Sequence, residues 1–244
     1  MRNLRLDLCY EGTRYRGWQR LANTDNTIQS KLEIALTRIL DEPIEVSGSG
    51  RTDAGTHAYR QVASFHCEST MPASEILEQL RRYLPEDIGV YSCKDVSPRF
   101  HARLNAKTKT YRYRIWNSQA PCVFERKFVA QEEQQLNIPA MQEAAKLYLG
   151  QHDFSAFCAK KNVKKSTLRY IESFDIQRIG EEVVFTVTGN GFLHHMVRIM
   201  VGTLVEVGKG QREAASIEAL YGGDRADAGV LMPACGLCLM EVTY

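Results

Sequence analysis

Residues 44–67 read IEVSGSGRTDAGTHAYRQVASFHC, and the predicted fold is built around this stretch. Its two ends, 44–47 and 62–67, have the composition of short strands, and a glycine-rich loop joins them. Apolar residues recur at three- and four-residue spacing in 27–40 and in 72–84, which predicts an amphipathic helix on each side. Helices and strands in this order indicate the middle of a β-α-β-β-α-β unit.

The elements farther out complete this unit and then repeat it. Leu4, Leu6 and Leu8 alternate with less apolar residues, which predicts a first strand, and residues 88–96 predict a fourth. The second half is predicted to contain, in order, a strand at 107–116, a helix at 140–149, a hairpin of 168–178 and 183–188 around Gly180, an apolar helix at 193–207, a short helix at 213–220 and a strand at 237–243.

These elements predict an α+β fold of two ferredoxin-like β-α-β-β-α-β halves, residues 1–105 and 106–244. We expect the halves to form a mixed sheet with helices packed on it and a central active-site cleft. The repeat lies in the order of the elements and not in the sequence itself. The glycine-rich loop belongs to the first half.

The composition is that of an ordinary globular chain. Of the 244 residues, 44% are apolar and 25% are charged, which excludes a disordered or collagen-like protein. No stretch approaches the roughly 18 apolar residues of a membrane span, and the first residues do not resemble a signal peptide. We therefore expect a cytoplasmic protein.

The seven cysteines are scattered along the chain, which predicts reduced thiols rather than a disulfide framework. Cys235 and Cys238 form a single C-x-x-C pair. A structural zinc site usually takes four ligands from two such pairs, so we expect two small apolar residues near a late strand and no metal.

Basic residues are concentrated in two runs, although 31 basic and 29 acidic residues leave a net charge of only +2. Such runs indicate a surface that follows the phosphates of a nucleic acid, and a solvated face is the alternative. The first run has one acid, Asp95, among Lys94, Arg99, Arg103, Lys107, Lys109, Arg112 and Arg114, and the second has none among Lys160, Lys161, Lys164, Lys165 and Arg169.

The glycine-rich loop does not fit a nucleotide-binding motif. A dinucleotide fingerprint would need a glycine at Asp53, and a P-loop would need a lysine at Thr56. An arginine and an aspartate remain, at positions 51 and 53, between glycines that allow a sharp bend. An ionised carboxylate beside an arginine can act as a nucleophile or a base, and a turn in which Asp53 caps backbone amides is the alternative.

Seven blocks of the chain resemble those of the tRNA pseudouridine synthase A (TruA) family, in the same order and over nearly the whole length. They are YEGTRYRGWQ (10–19), TIQSKLEIAL (27–36), GRTDAGTHA (50–58), FHARLNAKTKTYRYRI (100–115), HDFSAFC (152–158), FLHHMVRIMVGTLVEVG (192–208) and PACGLCL (233–239).

This resemblance implies a tRNA-binding homodimer that converts uridine to pseudouridine in the anticodon arm, at nucleotides 38, 39 and 40, without cofactor or metal. The reaction breaks the N-glycosidic bond, turns the bound base and joins its C5 to the ribose. A carboxylate that supports a covalent intermediate and a dry pocket that retains the detached uracil would serve this chemistry.

The resemblance also implies the roles of individual residues. Asp53 matches the catalytic nucleophile, and Tyr111 matches the tyrosine that stacks on the target uracil. Arg198 matches the arginine that pairs with the catalytic aspartate. For Tyr111 the alternative is packing within its strand, with Tyr113 as an equivalent neighbour, and for Arg198 it is a side chain that reaches solvent at the helix edge.

Further positions are expected to bind the substrate. Arg51 resembles the arginine that helps to displace the target base, and Leu237 is expected to line the uracil pocket. Phosphates of the tRNA are expected to contact Arg99, Arg103, Lys107, Lys109 and the residues 160–165. Two departures from the family pattern, Thr56 in place of valine and Cys238 in place of an aromatic residue, affect the pocket shape rather than the reaction.

The histidines are expected to have no catalytic role. His194 and His195 occupy adjacent positions of a predicted helix, where side chains point about 100° apart, so a shared site is unfavourable. A surface or tRNA-contacting position is expected for both. His57, His101 and His152 are expected to be structural.

Two other functions fit parts of the pattern. A non-catalytic RNA-binding protein could use the same sheet, aromatic and basic residues. A nucleoside or glycoside hydrolase would need a second carboxylate near Asp53. No nearby acid stands out, since Glu45 precedes the loop and Glu68 follows the strand after it.

Overall fold

The computed structural model describes residues 1–160 and 166–244. Ten strands and four α-helices are formed within these residues, and the strands belong to a mixed sheet, which confirms the α+β class. The chain divides into two compact units, Met1–Lys107 with Leu239–Tyr244, and Thr108–Cys238. The sequence pattern placed the boundary near residue 105 and did not assign the last residues to the first unit.

The first unit has the predicted β-α-β-β-α-β order. Its elements are β1 (Arg2–Tyr10), α1 (Ile28–Leu40), β2 (Val46–Gly48), β3 (His57–Cys67), α2 (Ala73–Tyr83) and β4 (Ile88–Asp95). Strand β1 pairs antiparallel with both β3 and β4, and β2 pairs with β3. The order β4-β1-β3-β2 is that of a ferredoxin-like sheet.

Side-chain alternation along β1 produces the core of the first unit. Leu4, Leu6 and Leu8 are completely buried, as their spacing predicts. Thr27 caps α1, because its side chain accepts a hydrogen bond from the backbone N–H of Ser30 at 3.2 Å.

The last residues of the chain are bound within the first unit. The backbone N–H of Lys107 donates to the carbonyl of Thr243 at 2.9 Å. Tyr244 donates its hydroxyl to the carbonyl of Ala102 at 2.7 Å, and the guanidinium of Arg5 lies 4.7 Å from the centre of its ring. These contacts bind the end of the chain to residues 102–107 and to Arg5 of β1.

The second unit repeats the order of the first with two added short strands. Its elements are β5 (Lys109–Asn117), β6 (Ala130–Glu132), α3 (Ile138–Lys146), β7 (Gly150–Asp153), β8 (Leu168–Ile179), β9 (Glu182–Gly189), α4 (Met196–Gly208) and the start of β10 (Leu237–Val242). Strand β9 lies between β5 and β8 in antiparallel pairing, and Gly180, with φ of 59°, forms the predicted turn of the hairpin.

Several elements differ from the prediction in their bounds or type. Strand β3 begins at His57 and not at residue 62. Helix α4 begins at Met196 and not at residue 193, because His195 has φ of 64°, which a right-handed helix cannot contain. Helix α3 ends at Lys146 rather than at residue 149. The short helix predicted at 213–220 is a 3-10 helix, Ala214–Leu220.

None of the helices in the described part of the chain combines the length and the apolar character needed to cross a bilayer.

Candidate active site

The loop with Asp53 lies in the first unit, between β2 and β3. Asp53 is half-buried and Arg51 is exposed. The carbonyl of Asp53 accepts the backbone N–H of Thr56 at 3.1 Å, and Gly55, with φ of 77°, completes this tight turn. The turn therefore presents the aspartate from a short, closed segment rather than from a loose loop.

A buried polar network anchors the beginning of this loop. Gln61, which is completely buried, donates to the carbonyl of Gly50 at 3.1 Å and to the hydroxyl of Tyr10 at 3.3 Å. Its side-chain oxygen accepts the hydroxyl of Ser49 at 2.5 Å. Tyr10 and Thr52 share a further hydrogen bond of 2.8 Å. Buried polar groups of this kind are stable only while all are paired, so the network resists displacement of the loop.

Two glycines allow the segment after β1 to lie directly against the loop. A Cβ atom at Gly12 would be 2.0 Å from the carbonyl oxygen of Thr56, and one at Gly17, which has φ of 93°, would be 2.7 Å from that of Thr52. His57 accepts the backbone N–H of Gly12 through Nδ1 at 3.0 Å, which places the proton of the neutral ring on Nε2. Backbone contacts thus support the loop from this side.

Sequence reasoning missed Gln61 and the two glycines as parts of the site. The signal for Gln61 was a polar residue immediately before the apolar end of β3, which is ambiguous without knowledge of its partners. The glycines belong to the block at residues 10–19. The sequence does not indicate that the backbone of this block packs against Thr52 and Thr56, which is the reason that glycine is needed there.

Tyr111 and Tyr113, predicted as equivalent neighbours on β5, have different surroundings. The ring of Tyr111 is 7% exposed and meets Phe192 edge-on, with centroids 5.1 Å apart. Tyr113 is completely buried and donates its hydroxyl to the carbonyl of Pro233 at 2.7 Å. Burial raises the pKa of Tyr113, and a Cβ atom at Gly236 would be 2.7 Å from its ring. Tyr113 is therefore a packing residue.

Arg198 lies on α4 within the second unit and is buried, at 9% exposure. Its Nε donates to the carbonyl of Met232 at 2.7 Å. The side chain thus turns into the protein, and the alternative of an arginine extended along the helix edge to solvent does not apply. Leu237, at the start of β10, is buried as well.

The rings of His194 and His195 stack, with centroids 3.7 Å apart. The prediction that the two side chains point about 100° apart was wrong, because these positions are not helical. Both residues precede α4, and the left-handed backbone of His195 turns its ring toward its neighbour.

The basic residues of the first run are divided between surface and ion pairs. Arg103 and Lys107 are exposed and Lys109 is half-buried. Arg114 forms ion pairs with Glu182 at 2.6 Å and Glu125 at 3.2 Å, so it is already neutralised. Of the second run, residues 161–165 lie outside the described residues.

Arg169 and two of the cysteines are partly or largely buried. Burial lowers the pKa of Arg169, whose guanidinium donates to the carbonyl of Leu168 at 2.6 Å. All seven cysteines are free thiols, as their spacing predicts. Cys235 donates its thiol to the carbonyl of Val129 at 3.3 Å, and burial raises its pKa.

Comparison with known proteins gives consistent matches. A family model described as tRNA pseudouridine synthase matches residues 9–105 and 144–244. The chain is 43% identical to tRNA pseudouridine synthase A 2 of Bacillus cereus (strain ZK / E33L) over 245 aligned positions, which cover 100% of both chains. With the same coverage it is 45% identical to tRNA pseudouridine synthase A of Bacillus sp. (strain KSM-64) and to tRNA pseudouridine synthase A 1 of Clostridium tetani.

Among solved structures, a Cbf5-Nop10-Gar1 complex matches 97% of this chain and 48% of that chain, with a TM-score of 0.37 and 12% identity. This likeness is too weak to support a conclusion. The family model and the full-length relatives are sufficient, and on them the chain belongs to the tRNA pseudouridine synthase A family of tRNA-modifying isomerases.

Proposed function

We propose that this protein isomerises uridine to pseudouridine in the anticodon stem-loop of tRNA, at nucleotides 38, 39 and 40, with Asp53 as the nucleophile. Family membership supports the reaction class. The observation that carries the assignment to Asp53 is the geometry of its loop. A hydrogen bond from Thr56 to the carbonyl of Asp53 closes the turn, and Gln61 holds its beginning at Gly50. The side chain of Asp53 is half-buried there, and that of Arg51 is exposed.

The proposed reaction balances without a cofactor. The bond between N1 of uracil and C1′ of the ribose breaks, and a new bond forms between C5 and C1′. C5 loses its proton and N1 gains one, so the product is an isomer of the substrate. A carboxylate nucleophile divides the exchange of the two bonds into separate steps through a covalent intermediate.

The other predicted residues have supporting roles in this proposal. Tyr111 stacks on the flipped uracil, and its edge-on contact with Phe192 supports this role because it holds the ring in one orientation. The guanidinium of Arg198 pairs with the Asp53 carboxylate, consistent with the rule that a buried cation needs an anionic or carbonyl partner.

Substrate binding is assigned to residues of both units. Arg51 assists the displacement of the target base, Leu237 lines the uracil pocket, and phosphates of the tRNA contact Arg103, Lys107 and Lys109. We propose that the protein works as a homodimer. The exposure of Arg51, Arg103 and Lys107 is consistent with contacts to a large polyanion.

The test is tritium release from 5-tritiated uridine in unmodified tRNA, because bond formation at C5 expels the label. We expect release by the wild type and a loss of at least about 10³-fold in Asp53→Asn. Asp41→Asn is the matched control, because Asp41 has φ of 55° at the end of α1, a conformation that asparagine tolerates.

Transcripts with a single uridine at nucleotide 38, 39 or 40 would identify the position. Tight binding without release from any tRNA would contradict the proposal and favour the RNA-binding alternative. Release that is equal in Asp53→Asn and in the wild type would contradict the role of Asp53.

A further inference from the structure

Residues 228–232, which we call the strap, run along one face of α4 and are bound to it by their backbone. Ala228, Gly229 and Met232 are buried. Three side chains of α4 form the hydrogen bonds: Thr203 accepts the N–H of Gly229 at 3.0 Å, Glu206 accepts the N–H of Val230 at 3.0 Å, and Arg198 donates to the carbonyl of Met232 at 2.7 Å.

The strap and the helix cross with their backbones in contact. A Cβ atom at Gly202 would be 1.9 Å from the carbonyl oxygen of Val230, and one at Gly229 would be 2.5 Å from the backbone of Thr203. Both positions therefore require glycine. The strap cannot move closer to α4, and the hydrogen bonds to Thr203 and Glu206 oppose movement away from it.

Arg212 joins the residue immediately before the strap to the same helix. Its Nε donates to Glu206 at 2.8 Å, and its terminal nitrogen donates to the carbonyl of Asp227 at 2.8 Å. The side chains of Arg212 and Glu206 are each only 19% exposed, which limits the screening of this ion pair by water. Glu206 thus binds the strap directly and, through Arg212, the residue that precedes it.

This arrangement determines the orientation of the Arg198 guanidinium. The group is planar, so a hydrogen bond from Nε to a fixed carbonyl also sets the direction of its two terminal nitrogens. The fixed carbonyl is that of Met232, and the position of Met232 depends on the strap. Any displacement of the strap is therefore transmitted to the arginine.

We propose that Thr203 and Glu206 are positioning residues for Arg198, acting through the strap. Neither is assigned a contact with the substrate. The inference rests on the proposed function, in which Arg198 serves the Asp53 carboxylate. A displacement of about 1 Å at a reacting group can lower a rate by about 10²-fold, which sets the scale of the expected effect.

The first experiment compares substitutions on opposite faces of α4. Thr203→Val removes the acceptor of the Gly229 N–H, Thr203→Ser retains it, and Leu204→Ala is the control. Leu204 is completely buried, and its position two residues after Gly202 turns it roughly 200° around the helix, away from the strap. Leu204→Ala therefore destabilises the core without altering the strap.

We expect Thr203→Val to lower kcat for tritium release by about 10²-fold with KM for tRNA nearly unchanged. The kcat of Thr203→Ser should stay within about threefold of the wild-type value. So should the kcat of Leu204→Ala when it is calculated per folded molecule. Glu206→Gln is the milder second variant, because it retains the volume and one acceptor, and a loss of about tenfold is expected. Equal kcat values for Thr203→Val and Leu204→Ala would overturn the proposal.

A second measurement does not depend on catalysis. The ¹⁵N-labelled Nε–H of Arg198, assigned by comparison with Arg198→Lys, should exchange slowly with solvent in the wild type, in Thr203→Ser and in Leu204→Ala. Fast exchange is expected in Thr203→Val. An unchanged signal there would refute the positioning role. If the wild type released no tritium, the proposed function would fail, and this signal would still decide whether the strap orients Arg198.

Discussion

The carbonyl oxygen of Thr56 lies 2.0 Å from the position that a Cβ atom would take at Gly12. A side chain of any size at residue 12 would therefore push apart two backbone segments, and one of them carries the Asp53 turn. The glycine is needed for this close approach, since the atom that a Cβ would meet is a backbone carbonyl oxygen, which cannot rotate away.

Gly12→Ala should lower the rate of pseudouridine formation by about 10²-fold, because the clash displaces the Asp53 turn. Gly210→Ala is the control: Gly210 has φ of 70° with no atom near its Cβ position, so alanine there brings backbone strain of roughly 1 kcal/mol and no clash. Equal rates for the two variants in tritium release would contradict this account.

Replacement of Tyr111 and Tyr113 should have separable effects. Tyr111→Leu removes the stacking ring and should cost roughly 1–3 kcal/mol in the binding of the target base, whereas Tyr111→Phe should retain most of it. Tyr113→Phe removes the hydrogen bond to Pro233 and should lower the free energy of unfolding by about 1 kcal/mol without altering tRNA affinity. Filter binding and urea denaturation distinguish the two outcomes, and similar losses of affinity at both positions would be evidence against distinct roles.

Acid should weaken the contacts of Asp87. Burial alone would raise the pKa of this carboxyl, but hydrogen bonds from Arg14 and Tyr15 outweigh burial and lower it. A lowered pKa stabilises the fold above the pKa of the unfolded chain, near 3.9, and this contribution is lost as the pH falls through the folded value. Burial and Asp87 also raise the pKa of Tyr15 to about 12.

Asp87→Asn should therefore be less stable than the wild type by about 1 kcal/mol at pH 7, where solvent screening limits the effect, and the difference should shrink below pH 4. Urea unfolding of both proteins between pH 3 and 7 checks this. A difference that stays constant over that range would show that the carboxylate charge is not involved.

The salt dependence of tRNA binding tests the basic surface. Arg103→Ala should weaken binding to all tRNAs alike and reduce the slope of log affinity against log salt concentration by about one. Lys146→Ala is the control, since Lys146 is exposed on α3 and already paired with Glu143 at 2.6 Å. Identical slopes for these two variants would exclude Arg103 from contact with phosphate.

Local periodicity predicted most of the fold because its signals lie within short segments. The alternation of Leu4, Leu6 and Leu8 corresponds to the buried face of β1, and the apolar sequence of α4 corresponds to a helix in which every residue except Glu206 is buried. Strands β6 and β7, with three and four residues, are too short to show a period. The start of α4 was missed because a single residue, His195, adopts a left-handed conformation that its sequence neighbours do not indicate.

The candidate residues came from the resemblance to a family, and their supports came only from the structure. Asp53 and Arg198 are charged residues of types that commonly act in catalytic sites. Gln61, Thr203 and Glu206 act through backbone carbonyls and N–H groups. Such partners have no sequence signature, because every residue supplies them.

The assignment of residues 239–244 to the first unit has a consequence for biosynthesis. A ribosome makes the chain from residue 1, so Ala102 and Lys107 leave it well before their partners Tyr244 and Thr243 exist. At about 5–20 residues per second, the intervening second unit takes on the order of ten seconds to synthesise. During that time the first unit lacks strand β10, which lies beside β3 in the complete sheet, and the contacts of Ala102 and Lys107 with the end of the chain form only after the second unit has been made.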